Sequence, residues 1–129
     1  MRTWLAVTLG AFLSASTVYA HHSFAASYYE SRSMTIEGEL TMMEYRAPHA
    51  WVYVLAPHTI TGEPVTYTAE WHNPSRLGRD GVKADTLKPG DHVILTGAPG
   101  RNPRDLKLHL KRIERPADGW AWPKDGTRN

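Results

Sequence analysis

Histidine is the residue type in this sequence with the clearest potential for chemistry, because imidazole binds transition metals and changes charge near neutral pH. The chain of 129 residues contains seven histidines and no cysteine. His21 and His22 directly follow a segment that is typical of secretion signals. His49 stands at the start of one predicted strand, just after a proline, and His72 stands at the end of the next. These four residues are our candidate metal ligands.

Residues 1–20 have the three parts of a signal peptide. Arg2 supplies a short positive region, Leu5 to Leu13 is mostly apolar, and Val18-Tyr19-Ala20 presents small residues at the positions that signal peptidase reads. The apolar run is shorter than the roughly 20 residues of a transmembrane helix. We therefore expect cleavage between Ala20 and His21 and a periplasmic or secreted protein. An uncleaved N-terminal anchor is the alternative.

Cleavage at this bond would give His21 a free α-amine beside its imidazole. The two groups could bind one ion together, and their pKa values of about 7.7–8.0 and about 6.5 make them easy to deprotonate near neutral pH. A further imidazole from His49 or His72 would complete three nitrogen ligands, a set that suits Cu(II). The arrangement resembles the histidine brace of secreted copper proteins in ligand type only. The alternative is a loose terminus that binds no metal.

Aromatic residues suggest a second kind of site. Trp51 and Tyr53 share one face of a predicted strand, where they could stack on sugars, bases or aromatic small molecules, with Glu70 beside them. This favours an alternative function as an extracytoplasmic ligand- or protein-binding module without metal. The competing structural interpretations are that Trp51 closes one end of the core, and that Glu70 caps the following helix or pairs with Arg76.

Composition and motifs argue against other functions. The net charge of +2 and the lack of a long basic block predict that nucleic acid is not a partner. The sequence has no Gly-x-Ser-x-Gly, phosphate-binding, dinucleotide-binding or HExxH motif, so we assign no catalytic residue. Without cysteine the fold must be held by packing. We expect a monomer.

The spacing of apolar residues predicts the elements that would position these side chains. Five strands are predicted, with a bend or bulge at Gly38 and with a short helix, capped by Ser75, between the third and fourth strands. The strands cover Met34–Arg46, His49–Leu55, Val65–His72, His92–Gly97 and a segment from Leu106, and the helix covers Arg76–Asp80. This order is that of the all-β, five-stranded OB barrel, with an open sandwich as the alternative.

These elements divide the chain into a signal peptide (1–20), a lead-in segment (21–33), an OB-like barrel domain (34–115) and a flexible tail (116–129). Three further histidines fall in loops or at outward strand positions, and we interpret them as ordinary surface residues: His58, His92 and His109.

Three sequence segments together resemble a known family. They are His21-His22-Ser23-Phe24, then Glu44 to Trp51 with its Ala-Pro-His-Ala-Trp run, and finally Glu70 to Asp91 with its Asn-Pro-Ser-Arg-Leu and Leu-Lys-Pro-Gly-Asp runs. The family consists of small secreted bacterial proteins of unknown function that begin His-His-Ser-Phe and carry Asn-Pro-His-Ala-Trp. Here Ala47 replaces that asparagine, so any role of its amide does not carry over. The resemblance implies export and a compact domain, and it implies no reaction.

Overall fold

The structure, a computed structural model, describes residues 24–125. The predicted cleavage site, His21 and His22 therefore lie outside the described residues. Residues 24–27 are helical. The elements that follow are β1 (Met34–Glu44), β2 (Trp51–Pro57), β3 (Pro64–Glu70), α1 (Pro74–Arg79), β4 (His92–Pro99), β5 (Lys107–Arg115) and β6 (Trp120–Trp122). None of the helices within this part of the chain is long and apolar enough to cross a membrane.

Strands β1 to β5 form a closed barrel. The first half of β1 pairs with β4 and its second half pairs with β2, both antiparallel. Antiparallel pairs β2–β3 and β4–β5 extend the sheet, and a parallel pair between β3 and β5 closes it. The predicted all-β, OB-like barrel with a short helix between the third and fourth strands is confirmed, with β6 as an additional strand.

The barrel interior is filled by alternating residues of the strands, as the sequence pattern predicts. The fully buried side chains from β2 and β3 include Val52, Val54 and Tyr67. In β1 the alternation breaks at a bulge between Leu40 and Met42, so that Met42 is 44% exposed. Strict alternation from Leu40 would place Met42 on the core face, but after the bulge Met43 packs against the core instead.

Gly38 marks the middle of β1, where the strand passes from β4 to β2. A Cβ atom at this position would collide with the Leu55 carbonyl oxygen of β2. The glycine therefore permits a close approach of two backbones. We predicted a bend or bulge at Gly38, and the bulge lies a few residues later, between Leu40 and Met42.

Helix α1 begins one residue before the predicted cap. The side chain of Asn73, not that of Ser75, accepts a hydrogen bond from the Arg76 backbone N–H at 2.9 Å. Pro74 then occupies the first turn, where its missing N–H costs nothing. Since an asparagine before a proline is a strong helix start, the predicted Ser75 cap is wrong by two residues.

The end of the described chain is not a tail. Strand β6 pairs antiparallel with β5, and Trp122 is only 3% exposed. Its ring packs edge-on against that of Trp71, with 5.0 Å between the ring centroids. The prediction of a flexible tail from residue 116 is therefore wrong for residues 120–122, because a short aromatic strand covers part of the core.

Candidate functional site

Three histidines meet at one end of the barrel, and we call His49, His72 and His109 the histidine cluster. The strand pairing explains why they meet. The Ala50 N–H donates to the His72 carbonyl at 3.0 Å, which places the start of β2 beside the end of β3. His109 lies opposite Glu70 in the parallel pair between β5 and β3.

Phe24, the first described residue, lies on this cluster. Its ring stacks on the imidazole of His109 with 3.9 Å between centroids and 6° between planes. The centroid of His49 is 5.2 Å from that of Phe24, and the centroid of His72 is 6.5 Å from that of His109. The described chain therefore begins at the candidate site.

His109 is buried, with 7% of its side chain exposed. The prediction that it is a surface residue is wrong, because Phe24 and Tyr28 cover the face of β5 that the alternating pattern assigned to solvent. Burial lowers the pKa of His109 below its ordinary value, although the hydrogen bond to Glu30 acts in the opposite direction. His109 is therefore neutral at pH 7.

The carboxylate of Glu30 determines which His109 nitrogen carries the proton. Glu30 Oε1 lies 2.7 Å from His109 Nδ1, and Lys111 Nζ donates to Oε2 at 2.7 Å. Partial burial alone would raise the pKa of Glu30, but the hydrogen bonds from Lys111 and His109 outweigh it and hold the pKa low. Because an ionised carboxylate only accepts, Nδ1 must donate. The lone pair of His109 is then on Nε2, which is buried without a hydrogen-bond partner among the described residues.

A second carboxylate holds His49 in the same manner. Glu70 Oε1 lies 2.7 Å from His49 Nδ1, and the Tyr28 hydroxyl donates to Glu70 Oε2. Burial and then the bond to Glu70 raise the pKa of Tyr28, so the hydroxyl keeps its proton. The capping role considered for Glu70 is wrong, since Asn73 caps α1. Glu70 instead links the lead-in segment to His49.

His72 is the third member of the cluster and has a different environment. Its ring packs edge-on against Trp122, with 5.3 Å between centroids. Burial, with a smaller contribution from the positive charge of Arg76, lowers the pKa of His72 to about 4. His72 is therefore a neutral imidazole at pH 7, the form in which histidine binds metals.

The described residues do not by themselves complete a metal site. Within residues 24–125, no three histidine, aspartate or glutamate side chains already form a group that could hold an ion. The structure places the backbone segments of the predicted ligands His49 and His72 beside each other, and it adds His109, whose ring centroid lies 6.5 Å from that of His72. The other two predicted ligands, His21 and His22, lie outside the described residues.

The predicted aromatic face is only partly available. Trp51 and Tyr53 are both half-buried on β2. The Tyr53 hydroxyl donates to Glu44 Oε1 at 2.7 Å, which fixes that ring on the barrel surface. Trp51 lies opposite Glu70 in the β2–β3 pair, so it borders the histidine cluster.

Comparison with known proteins identifies a family. Residues 11–108 match the family described as "Family of unknown function (DUF6152)". The chain belongs to this family. The match agrees with the resemblance to a family of unknown function. No curated protein matches this chain in sequence.

Among solved structures, the chain is similar to the mitochondrial single-stranded DNA binding protein Rim1 from S. cerevisiae. The identity is 14%, the TM-score is 0.47, and the match covers 64% of this chain and 91% of the other. This finding corrects the expectation that nucleic acid is excluded as a partner, since a structure similar to this chain is that of a DNA-binding protein. A likeness this weak carries no argument for DNA binding here.

Proposed function

We propose that this member of the DUF6152 family is an exported copper-binding protein, in which a mature N-terminal His21 and the histidine cluster hold the ion. The observation that carries the proposal is the Nε2 atom of His109. It is buried, it has no hydrogen-bond partner among the described residues, and Glu30 keeps its lone pair free. A neutral nitrogen held in one orientation is what a metal ligand requires.

The carboxylates support the same proposal. Metal-binding histidines commonly donate their second ring N–H to a carboxylate, which fixes the tautomer and the ring orientation. His109 with Glu30, and His49 with Glu70, show this pairing at 2.7 Å. His72 is neutral at pH 7, so it too could bind without losing a proton. Nitrogen ligands of this kind favour Cu(II) over other divalent ions.

The position of Phe24 supports the role of the N-terminus. Phe24 stacks on His109, and His21 precedes it by three residues. Three residues span at most about 10 Å, so the amine and imidazole of His21 would be within reach of the cluster. An export signal that ends at Ala20 would create this amine, which links export to the proposed function.

The test compares two forms of the protein, one that begins at His21 and one with a single glycine before it. Both are titrated with Cu(II) against a chelator of known affinity, and the copper spectrum is recorded. We expect the glycine to weaken binding at least about tenfold, which corresponds to roughly 1.4 kcal/mol. Equal binding by both forms would refute the terminal ligand.

A matched pair of variants tests the cluster itself. His109→Gln should weaken Cu(II) binding by a similar factor, whereas His92→Gln should not, because the exposed His92 ring pairs with Glu37 away from the cluster. If the two variants bind alike, His109 is not a ligand. N-terminal sequencing of the protein from a periplasmic fraction tests export. A chain that retains residues 1–20 would contradict cleavage at Ala20.

A further inference from the structure

A cavity of about 340 Å³ lies apart from the histidine cluster, between the start of β1, the β2–β3 loop and the β4–β5 loop. Its walls are largely apolar and include Met34 and Leu106, which also pack against the core. Ile60, in the β2–β3 loop, is 87% exposed and borders the same cavity. A cavity of this size with apolar walls is typical of sites for small molecules.

Three cations border the cavity without an ion pair. The guanidinium carbons of Arg32 and Arg101 lie 4.2 and 4.6 Å from the centroid of the Tyr29 ring. Lys107 Nζ lies 5.9 Å from the centroid of the Tyr28 ring. Within residues 24–125 none of the three forms a salt bridge, and no described aspartate or glutamate borders the cavity. Cations that border one cavity without an ion pair attract an anion.

His58 adds a hydrogen-bond donor to the same cavity. Its Nδ1 atom is 3.2 Å from the backbone N–H groups of both Ile60 and Thr61 and accepts from them. A neutral imidazole that accepts at Nδ1 carries its proton on Nε2. His58, in the part of the wall that the β2–β3 loop forms, therefore carries an N–H at Nε2. A hydrogen-bond donor in the wall favours an anion, as the three cations do.

We propose that this pocket binds a small amphipathic carboxylate, with its hydrocarbon body against Met34, Ile60 and Leu106 and its carboxylate beside Arg32, Arg101 and Lys107. The proposal does not depend on the copper site, because the two sets of residues are different. A purely ionic ligand would leave the apolar walls uncovered, and a neutral ligand would leave the cations without a partner. An anion with an apolar body satisfies both.

Octanoate is a suitable probe, with 1-octanol and acetate as matched controls that each lack one half of the ligand. Isothermal titration calorimetry on the folded protein should show octanoate binding at least about tenfold more tightly than either control, because 1-octanol lacks the charge and acetate lacks the hydrocarbon body. If 1-octanol binds as tightly, the cations play no part. If acetate binds as tightly, the cavity plays no part. Either result overturns the proposal.

Charge-neutralising variants locate the site. Arg32→Gln and Lys107→Gln should each weaken octanoate binding several-fold, whereas Arg104→Gln should leave it unchanged. Arg104 is an exposed arginine of the same β4–β5 loop that does not border the cavity, so it controls for net charge. Arg101 is a poorer choice, because its Nε also donates to the Ala25 carbonyl at 2.7 Å. Equal weakening by all three variants would mean that octanoate responds only to net charge, which would overturn the proposal.

Discussion

The replacement Trp122→Ala tests whether β6 belongs to the folded domain. The Trp122 side chain is almost fully buried, packs against the rings of Trp71 and His72, and donates from Nε1 to Asp80 Oδ2 at 3.0 Å. Truncation of a buried tryptophan to alanine costs about 3–5 kcal/mol, through lost apolar contact and the cavity that remains. We expect the lower end of this range.

The lower end follows from two features of the structure. Asp80 is exposed, so its carboxylate regains water when the indole N–H is removed, and no buried polar group loses its partner. Strand β6 pairs with β5 over only three residues, so it can move to fill part of the cavity. The contact with Trp71 adds about 0.5–1.5 kcal/mol beyond area burial. A loss near 3 kcal/mol would be a large part of the stability of a domain of this size.

The assay is urea unfolding followed by far-ultraviolet circular dichroism, which does not depend on tryptophan emission. Trp120→Ala is the matched control, because Trp120 belongs to the same strand but is only half-buried and packs on Arg115. We expect this control to lose about 1 kcal/mol. A loss below about 1 kcal/mol for Trp122→Ala, or equal losses for both variants, would show that β6 is not part of the cooperative fold.

Three further predictions concern the barrel and its helix. Asn73→Ala should lower the free energy of unfolding by about 1 kcal/mol in urea unfolding, whereas Ser75→Ala should have little effect, since Asn73 is the cap; the opposite ranking would restore the predicted cap. Gly38→Ala should destabilise by more than about 1 kcal/mol, because its Cβ would collide with a β2 carbonyl; an unchanged midpoint would refute the close approach. The hydrogen bond from the Lys88 N–H, and then Arg115, lower the pKa of Asp91 in the folded protein below the unfolded value near 3.8. The ionised carboxylate therefore stabilises the fold fully above the unfolded pKa, and this stability is lost as the pH falls through the pKa of the folded protein. Asp91→Asn should therefore destabilise more at pH 7 than at pH 3, and equal destabilisation at both would contradict this assignment.

The barrel could be predicted from the sequence because alternation and turn residues act locally. The buried residues Val52, Val54 and Tyr67 fall at the expected positions, and the order of strands and helix matches the OB arrangement. The errors arise where long-range pairing decides the outcome. The bulge after Leu40 exchanges the roles of Met42 and Met43, and nothing in the local pattern shows where a bulge will fall.

The candidate site was predicted less well than the fold. His49 and His72 could be chosen because each borders a strand, whereas Glu70 was assigned to the aromatic face with Trp51 and Tyr53. His109 was missed because it alternates with Leu108 and Leu110 and so appears to face water. Its burial depends on Phe24, which is distant in sequence and reaches it only in the folded chain. The available signal was the aromatic content of the lead-in segment, where Phe24 and Tyr28 are the two residues that cover His109.

Two buried nitrogen atoms in the described residues lack a hydrogen-bond partner, Trp71 Nε1 and His109 Nε2. Each costs about 1–3 kcal/mol if it stays unpaired. In Trp71 this cost is offset by the large apolar surface that the indole buries in the core, so packing accounts for the residue. Packing does not account for His109 in the same way, because a leucine or phenylalanine there would fill the space without an unpaired atom. In addition, the Glu30 carboxylate accepts from Nδ1 and so leaves the His109 lone pair on Nε2. Ligand binding explains this arrangement better than packing does.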